Sequence, residues 1–262
     1  MLPSRHCCPY KHIYTQFAER LFPEEVMGPP REYSTQTMCA PLAVVLMART
    51  PVPGRVKSRL ADAIGPDAAC AIYEAMARDT WHAMCSTGLP CYLATDGDGS
   101  SWLPGAAGVI LQAPGGFGRR LAAVLDHLLH HGFKAALALA ADTPHLGSAV
   151  LSQAVDAISR SDGALVTAPA EDGGLVLLGL NLPPAIDLES LPWESVSLDN
   201  ALAELARKSA LSVTRILPGS YDIDEIEDIQ RLLSEPDEVQ RNCPSTVAAC
   251  RRVRLDTATT DT

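Results

Sequence analysis

Positive charge is scarce in this sequence. Against 31 Asp and Glu side chains stand 21 Lys and Arg, a formal net charge of -10 over 262 residues. No nucleic-acid or anionic-membrane partner is expected, because such partners draw on a basic field that this chain lacks. Also missing is any unbroken apolar run of about 18 residues, the length that suggests a membrane span. The eight cysteines, at positions 7, 8, 39, 70, 85, 91, 243 and 250, form no C-x-x-C pair and show no zinc-ribbon spacing. Cys39, Cys70, Cys85 and Cys91 lie in or beside apolar segments, where a thiol behaves as a small hydrophobe. His6, Cys7, Cys8 and His12 crowd together, but adjacent cysteines chelate awkwardly and no second ligand pair stands at standard spacing. The first apolar run is short and broken by Pro, His and charge, so no secretory leader is expected. A reducing cytoplasm is the expected compartment.

What remains is enough for an enzyme-sized core: 47% hydrophobic residues, 20% charged, and a mean hydropathy of +0.07. Residues 1–38 mix five prolines with aromatics and charges and read as an extension, with at most a short helix around Thr15 to Phe22. From Pro236 the chain turns polar, and 236–262 reads as a flexible tail. Between them, 39–235 reads as one domain in which strand and helix alternate. The strands are Leu42 to Ala48, Leu89 to Thr95, Ala135 to Ala141, Ala164 to Pro169, Leu175 to Leu180 and Ser212 to Leu217. The helices are Asp67 to Ser86, Gly118 to His131, Ser148 to Arg160, Leu198 to Ser209 and a closing Glu225 to Leu233. That order predicts a single α/β domain, a mostly parallel sheet with helices on both faces.

In such sheets ligands gather at the carboxyl ends of the strands. The loop after the first strand, Arg49 to Arg59, places Arg49, Arg55, Lys57 and Arg59 in eleven residues of an acidic chain. Pro51, Pro53 and Gly54 shape it, and its cations suit a polyphosphate, although a merely solvated basic loop would read the same way. It lacks the Walker A spacing. Asp142 ends another apolar strand, where a carboxylate could hold Mg²⁺ or simply open a turn. Glu171-Asp172-Gly173-Gly174 reads first as a hairpin turn, and its glycines also admit a substrate close to the backbone. In the run from Tyr221 to Asp228, Glu227 and Asp228 are ordinary acids of a helix's first turn. Asp222 and Asp224 alternate in an extended segment before it and, with Asp142, could share one or two Mg²⁺. Gly115-Gly116-Phe-Gly-Arg119-Arg120 precedes a helix but lacks the G-x-G-x-x-G fingerprint, so NAD binding is not expected. It could still line a nucleotide pocket.

The run Val45-Leu-Met-Ala-Arg-Thr-Pro-Val-Pro-Gly-Arg-Val-Lys-Ser-Arg-Leu60 resembles the opening of the GT-A-like nucleotide-diphospho-sugar transferase family. Ala141-Asp-Thr-Pro-His-Leu146, Ala170-Glu-Asp-Gly-Gly174, Leu178-Gly-Leu180, Pro192-Trp193 and Tyr221-Asp-Ile-Asp224 match later blocks of that pattern, from about residue 40 to 233. The chain is more distantly similar to the 2-phospholactate guanylyltransferases. The resemblance implies a GT-A-like fold with phosphates on Arg49, Pro53, Gly54, Arg55, Lys57, Arg59, Gly116 and Arg119. It implies Mg²⁺ or Mn²⁺ on Asp142, Asp222 and Asp224, and a second substrate at Glu171, Asp172, Gly173 and Gly174. Arg55, Lys57 and Asp142 would be catalytic. The chain departs from the pattern at Ala140-Ala141, where the family usually has serine before the strand-end Asp, and at Leu175-Val176, where it usually has a Tyr pair. Lost hydroxyls change which polar acceptor a pocket takes.

The expected activity is nucleotidylyl transfer, in which a phosphorylated small molecule attacks an NTP and pyrophosphate leaves. Phosphate chemistry of this kind needs positioning and cations, so the absence of a Ser-His or Cys-His constellation is no objection. The alternative is a glycosyltransferase that takes an NDP-sugar and a small acceptor, with Glu171 or Asp172 as base. A nucleotide-binding protein without turnover is the third reading.

Overall fold

The computed structural model describes residues 42–97, 102–160, 163–181, 186–193, 195, 197–216 and 220–253. The N-terminal extension 1–38, with its His6, Cys7, Cys8 and His12 cluster and its helix around Thr15 to Phe22, lies outside the described residues. Residues 254–262 lie outside them too.

Among the described residues seven strands form one sheet: β1 (Leu42–Met47), β2 (Cys91–Thr95), β3 (Gly108–Leu111), β4 (Ala135–Ala140), β5 (Ala164–Pro169), β6 (Leu175–Asn181) and β7 (Ser212–Arg215). Their spatial order is β3-β2-β1-β4-β6-β5-β7. Every neighbouring pair is parallel except those that involve β6, which runs antiparallel to both β4 and β5. The mostly parallel sheet is thus confirmed, and the Asp172–Gly174 segment makes the β5–β6 hairpin.

The helices are α1 (Ser58–Ile64), α2 (Pro66–Cys85), α3 (Phe117–His130), α4 (Gly147–Ser159), α5 (Leu198–Lys208), α6 (Ile226–Ser234), α7 (Asp237–Gln240) and α8 (Pro244–Arg252). β1 explains why they need both faces. Its six residues are all buried, and its side chains alternate between two cores. Leu42, Val44 and Leu46 join Ile72, Met76, Leu151 and Ile229 on one face. Ala43, Val45 and Met47 join Leu121, Leu125, Leu128 and Leu202 on the other.

Three differences from the sequence reading have simple causes. The segment from Pro236 is not a tail, since α7 and α8 continue the domain as far as the described residues reach. Its polar composition conceals Cys243, Val247 and Cys250, which are buried against α2. β3 escapes the sequence pattern because it is an edge strand of four residues, of which only Ile110 is buried. α1 begins inside the basic loop, at Ser58, and Leu60 anchors it in the core.

One packing contact fixes the start of α3. Gly118 faces the indole of Trp193 so closely that an added Cβ would lie 2.6 Å from the Leu188 carbonyl oxygen. Gly118→Ala is therefore expected to destabilise the fold by about 1–3 kcal/mol, the usual cost of overpacking. A thermal melt that leaves Tm unchanged would contradict that contact.

Candidate active site

β1 and β4 are adjacent, but the chain leaves β1 for β2 on one side and reaches β4 on the other. This is the strand-order reversal at which open α/β sheets hold ligands. At the carboxyl ends of these two strands lies a cleft of about 560 Å³. Arg49, Gly54, Arg55, Lys57, Arg59, Asp142 and Asp224 line it, from three separate stretches of sequence.

Two backbone features bring the stretches together. Val56 is buried and ties the basic loop to the core, while Gly54 takes a positive φ of 75° that turns the chain back toward the sheet. On the opposite wall the Ile223 amide donates to the Asp142 carbonyl at 3.1 Å, which lays the late Asp-x-Asp segment along the strand-end loop. Tyr221 and Ile223 are buried, so the alternate residues Asp222 and Asp224 face away from that core.

Lys57 is the centre of the arrangement. Its ammonium donates to Asp142 Oδ2 at 2.8 Å and to Asp224 Oδ1 in a short contact, and its side chain is only 6% exposed. Burial alone would lower its pKa, but the charges of Asp142 and Asp224 outweigh burial and hold it above the ordinary lysine value. Lys57 also sits in the left-handed region, φ 48° and ψ 56°, at the residue that precedes α1. A side chain other than glycine is held there at a cost of roughly 1–3 kcal/mol, and such strain gathers at functional sites. Asp222 is half-buried beside this group; burial first, then the charge of Asp142, pushes its carboxyl up to about 7.

Of the remaining lining, Phe117 and Arg120 belong to the glycine-rich run that the sequence marks as able to line a nucleotide pocket, while Tyr73 and Gln112 carry no such signal. The Tyr73 hydroxyl, on α2, accepts from the Arg49 amide at 2.7 Å and donates to the Arg49 carbonyl at 3.2 Å, fixing the loop's first residue. The Gln112 amide donates to the carbonyls of Ala94 and Ala48, and its oxygen accepts from Arg120 Nη1 at 3.2 Å. Burial and the charge of Arg49 lower the Arg120 pKa, and among the described residues the buried Arg120 Nε has no hydrogen-bond partner. Phe117 closes the same side. No sequence signal marks Tyr73, which reads as a helix core residue.

Other expected residues are placed elsewhere. Pro53 is exposed and outside the cleft lining. Gly116 and Arg119 line a separate depression beyond Phe117. Glu171 forms a two-pronged pair with Arg231, both contacts at 2.7 Å, and Arg231 lies over the Tyr221 ring. That ring also stacks on His145, whose Nε2 meets the Ser220 hydroxyl at 2.8 Å. Burial and the positive charge of Arg231 lower the His145 pKa to about 4, so the imidazole stays neutral. Glu171 is thus committed to a structural latch between the hairpin and α6. Asp172 accepts from the Gly174 amide at 2.8 Å and shapes the turn, with Gly173 at φ 93°. None of these four residues lines the cleft.

Among the described residues no group of three His, Cys, Asp or Glu side chains converges as a ready metal cage. Asp142 and Asp224 converge on the Lys57 ammonium instead. Their oxygens are nevertheless of the type that Mg²⁺ takes, since that ion commonly uses one or two carboxylates and completes its shell with phosphate and water. Among the described residues no helix is long and apolar enough to cross a membrane.

Residues 75–195 match a family model described as "Uncharacterized protein conserved in bacteria (DUF2064)". Among curated proteins nothing matches the chain. Among solved structures, a protein of Desulfovibrio desulfuricans G20, provisionally named a nucleotide-diphospho-sugar transferase, aligns with a TM-score of 0.69 at 18% identity, over 81% of this chain and 97% of its own. A cytidylyltransferase from Leptospira borgpetersenii aligns with a TM-score of 0.44 at 14% identity, over 79% of this chain and 96% of its own. The first of these likenesses, together with the sheet order, shows that the chain shares the α/β fold of the Desulfovibrio protein.

Proposed function

We propose that the chain is a divalent-metal-dependent nucleotidylyltransferase. An oxygen of a phosphorylated small molecule would attack the α-phosphate of an NTP, forming one P–O bond as the α–β bridge breaks and pyrophosphate leaves. The observation that carries this reading is Lys57, buried between a strand-end carboxylate and a second carboxylate at the mouth of a cation-lined cleft. Departing pyrophosphate needs fixed positive charge, and Lys57 with Arg55 supplies it from one shaped loop. Arg49 and Arg59 lie within reach of the same ligand, exposed at the rim. Asp142 and Asp224 would hold Mg²⁺ or Mn²⁺ brought in with the nucleotide, and Asp222 stands beside them. When bound, the metal would neutralise phosphate charge. Gly173 and Gly174 do not line the cleft, so this reading assigns them no substrate contact.

A glycosyltransferase using an NDP-sugar is the second reading, favoured by the name of the Desulfovibrio protein. The two part at the product. Phosphorus NMR of a reaction with NTPs and a panel of sugar phosphates is expected to show Mg²⁺-dependent pyrophosphate, whereas NDP released from an NDP-sugar would favour the second reading. Asp142→Asn should reduce either turnover by about three orders of magnitude, the scale of losing a preorganised charge in such chemistry. An Asp142→Asn protein that retains more than a tenth of the activity would remove Asp142 from the proposed site.

A further inference from the structure

Asp142 and Asp224 reach Lys57 from distant parts of the sequence, and both carboxylates are partly exposed, so packing of their own side chains does not hold them there. Their backbones are held instead. The Asp224 amide donates to Asp228 Oδ2 at 2.9 Å, which ties the late Asp-x-Asp segment to the first turn of α6. Three residues before Asp224 is the buried Tyr221, and three residues after Asp142 is His145. Their rings stack with 4.2 Å between centroids and 28° between planes. His145 is tied to the same segment a second time, because its Nε2 meets the Ser220 hydroxyl at 2.8 Å. From the other side Asn242 Nδ2 donates to the His145 carbonyl at 3.1 Å.

The stack extends past Tyr221. The Arg231 guanidinium carbon lies 3.7 Å from the centroid of the same ring, and its two terminal nitrogens donate to the two oxygens of Glu171. An exposed ion pair contributes little by itself. This one is two-pronged and pressed on an aromatic face, so charge, hydrogen bonding and cation–π attraction act on one side chain. The Glu171 amide also donates to the Ser220 carbonyl at 2.8 Å, which binds the hairpin to the residue that holds His145. Hairpin, α6, the segment before it and the loop after β4 thus meet in one closed cluster. Asp142 and Asp224 line the cleft, whereas none of the four stacked residues does.

Resting on the transferase reading above, we infer that Glu171, Arg231, Tyr221 and His145 are positioning residues, whose stack sets the gap between Asp142 and Asp224 from behind the cleft. Two carboxylates that face each other repel unless a cation stands between them, so their backbones need such an anchor. Mg²⁺ tolerates little departure from octahedral geometry, and a slip of either segment would weaken its hold on both oxygens. Lys57 bridges the same two carboxylates and reports the gap directly.

Acylation of Lys57 by an N-hydroxysuccinimide ester, followed by peptide mass spectrometry on the full chain, reads that gap without metal or nucleotide. Exposed Lys134 in the same molecules is the reference. Arg231→Gln, which removes the cation from the ring, and Tyr221→Leu, which removes the ring, should each speed Lys57 labelling at least fivefold relative to Lys134. Arg231→Lys and Tyr221→Phe, which keep the cation and the ring, should stay within twofold of wild type. In both disruptive variants the Mg²⁺ concentration that half-saturates the NTP thermal shift is expected to rise at least fivefold. Residues that only stabilised the fold would lower Tm and leave both readouts unmoved. Arg231 is partly exposed, so Arg231→Gln carries the test alone if Tyr221→Leu does not fold. Lys57 labelled at the wild-type rate in folded Arg231→Gln would overturn the inference, as would an unchanged Mg²⁺ requirement in a variant whose Lys57 labels faster. A wild-type protein whose Tm no nucleotide moves would overturn the transferase reading, while faster Lys57 labelling in the variants would still show that the stack positions the two carboxylates.

Discussion

Lys57→Gln is expected to lower turnover by about three orders of magnitude, with most of the loss in kcat rather than KM. The glutamine can still reach toward Asp142 and Asp224 but brings no charge. Positive charge matters most where negative charge develops on the leaving group, so its loss is felt in the transition state more than in substrate binding. Removing one preorganised donor typically costs 10²–10³-fold, and a buried ammonium stands at or above the upper end of that range. Neighbours do not replace it. Arg59 reaches Asp224 only at 4.0 Å and is itself largely exposed. The same substitution leaves Asp142 and Asp224 facing each other without a counter-ion, which costs stability. Mg²⁺ should therefore raise the Tm of Lys57→Gln more than that of the wild type. Steady-state kinetics within tenfold of wild type would remove Lys57 from the reaction.

The second large effect lies far from the cleft. Asp79→Ala is expected to destabilise the protein by about 3 kcal/mol, read from urea unfolding. Asp79, on α2, is 5% exposed and acts as the missing N-cap of α8. Its Oδ2 accepts from the Thr246 amide at 2.7 Å and the Thr246 hydroxyl at 2.8 Å, and its Oδ1 accepts from the Ser245 amide at 3.3 Å. Hydrogen bonds to a charged group contribute roughly 1.5–3 kcal/mol each in net terms, and they do not add independently. Truncation also leaves the fully buried Thr246 hydroxyl unpaired. Asp79→Asn, which keeps one acceptor oxygen without the charge, should lose about half as much. A loss below about 1 kcal/mol for Asp79→Ala would mean that α8 is held by Val247 and Cys250 alone.

The same contact shows what a sequence conceals. Thr246 lies 167 residues after Asp79, so no local pattern joins them, and the polar stretch around α8 reads as a tail. β1 lies at the opposite extreme, since its short apolar run with two adjacent valines fits a strand buried on both faces. The basic loop and Asp142 were legible for a related reason, because each directly follows such a strand and stands out from it chemically. Glu171 misled because its partner Arg231 arrives sixty residues later and turns an apparent substrate group into a latch. Arg119 and Arg120 differ only by helical phase. Adjacent residues on a helix point about 100° apart, so α3 sends Arg120 into the cleft and Arg119 into the depression beyond it. Sequence alone does not set that phase.

The central claim is that the cleft between β1 and β4 binds a nucleotide's phosphates with a divalent ion on Asp142 and Asp224. A thermal-shift series with NTPs and NDP-sugars, each with and without Mg²⁺, on wild type and Asp224→Asn, tests it most directly. At a ligand concentration about a hundred times the dissociation constant, binding should stabilise the wild type by about 2.7 kcal/mol. The predicted result is a Mg²⁺-dependent shift with an NTP that is largely lost in Asp224→Asn. The contradicting result is a wild-type protein whose Tm no nucleotide moves, or one whose shift is the same without Mg²⁺ and in the variant.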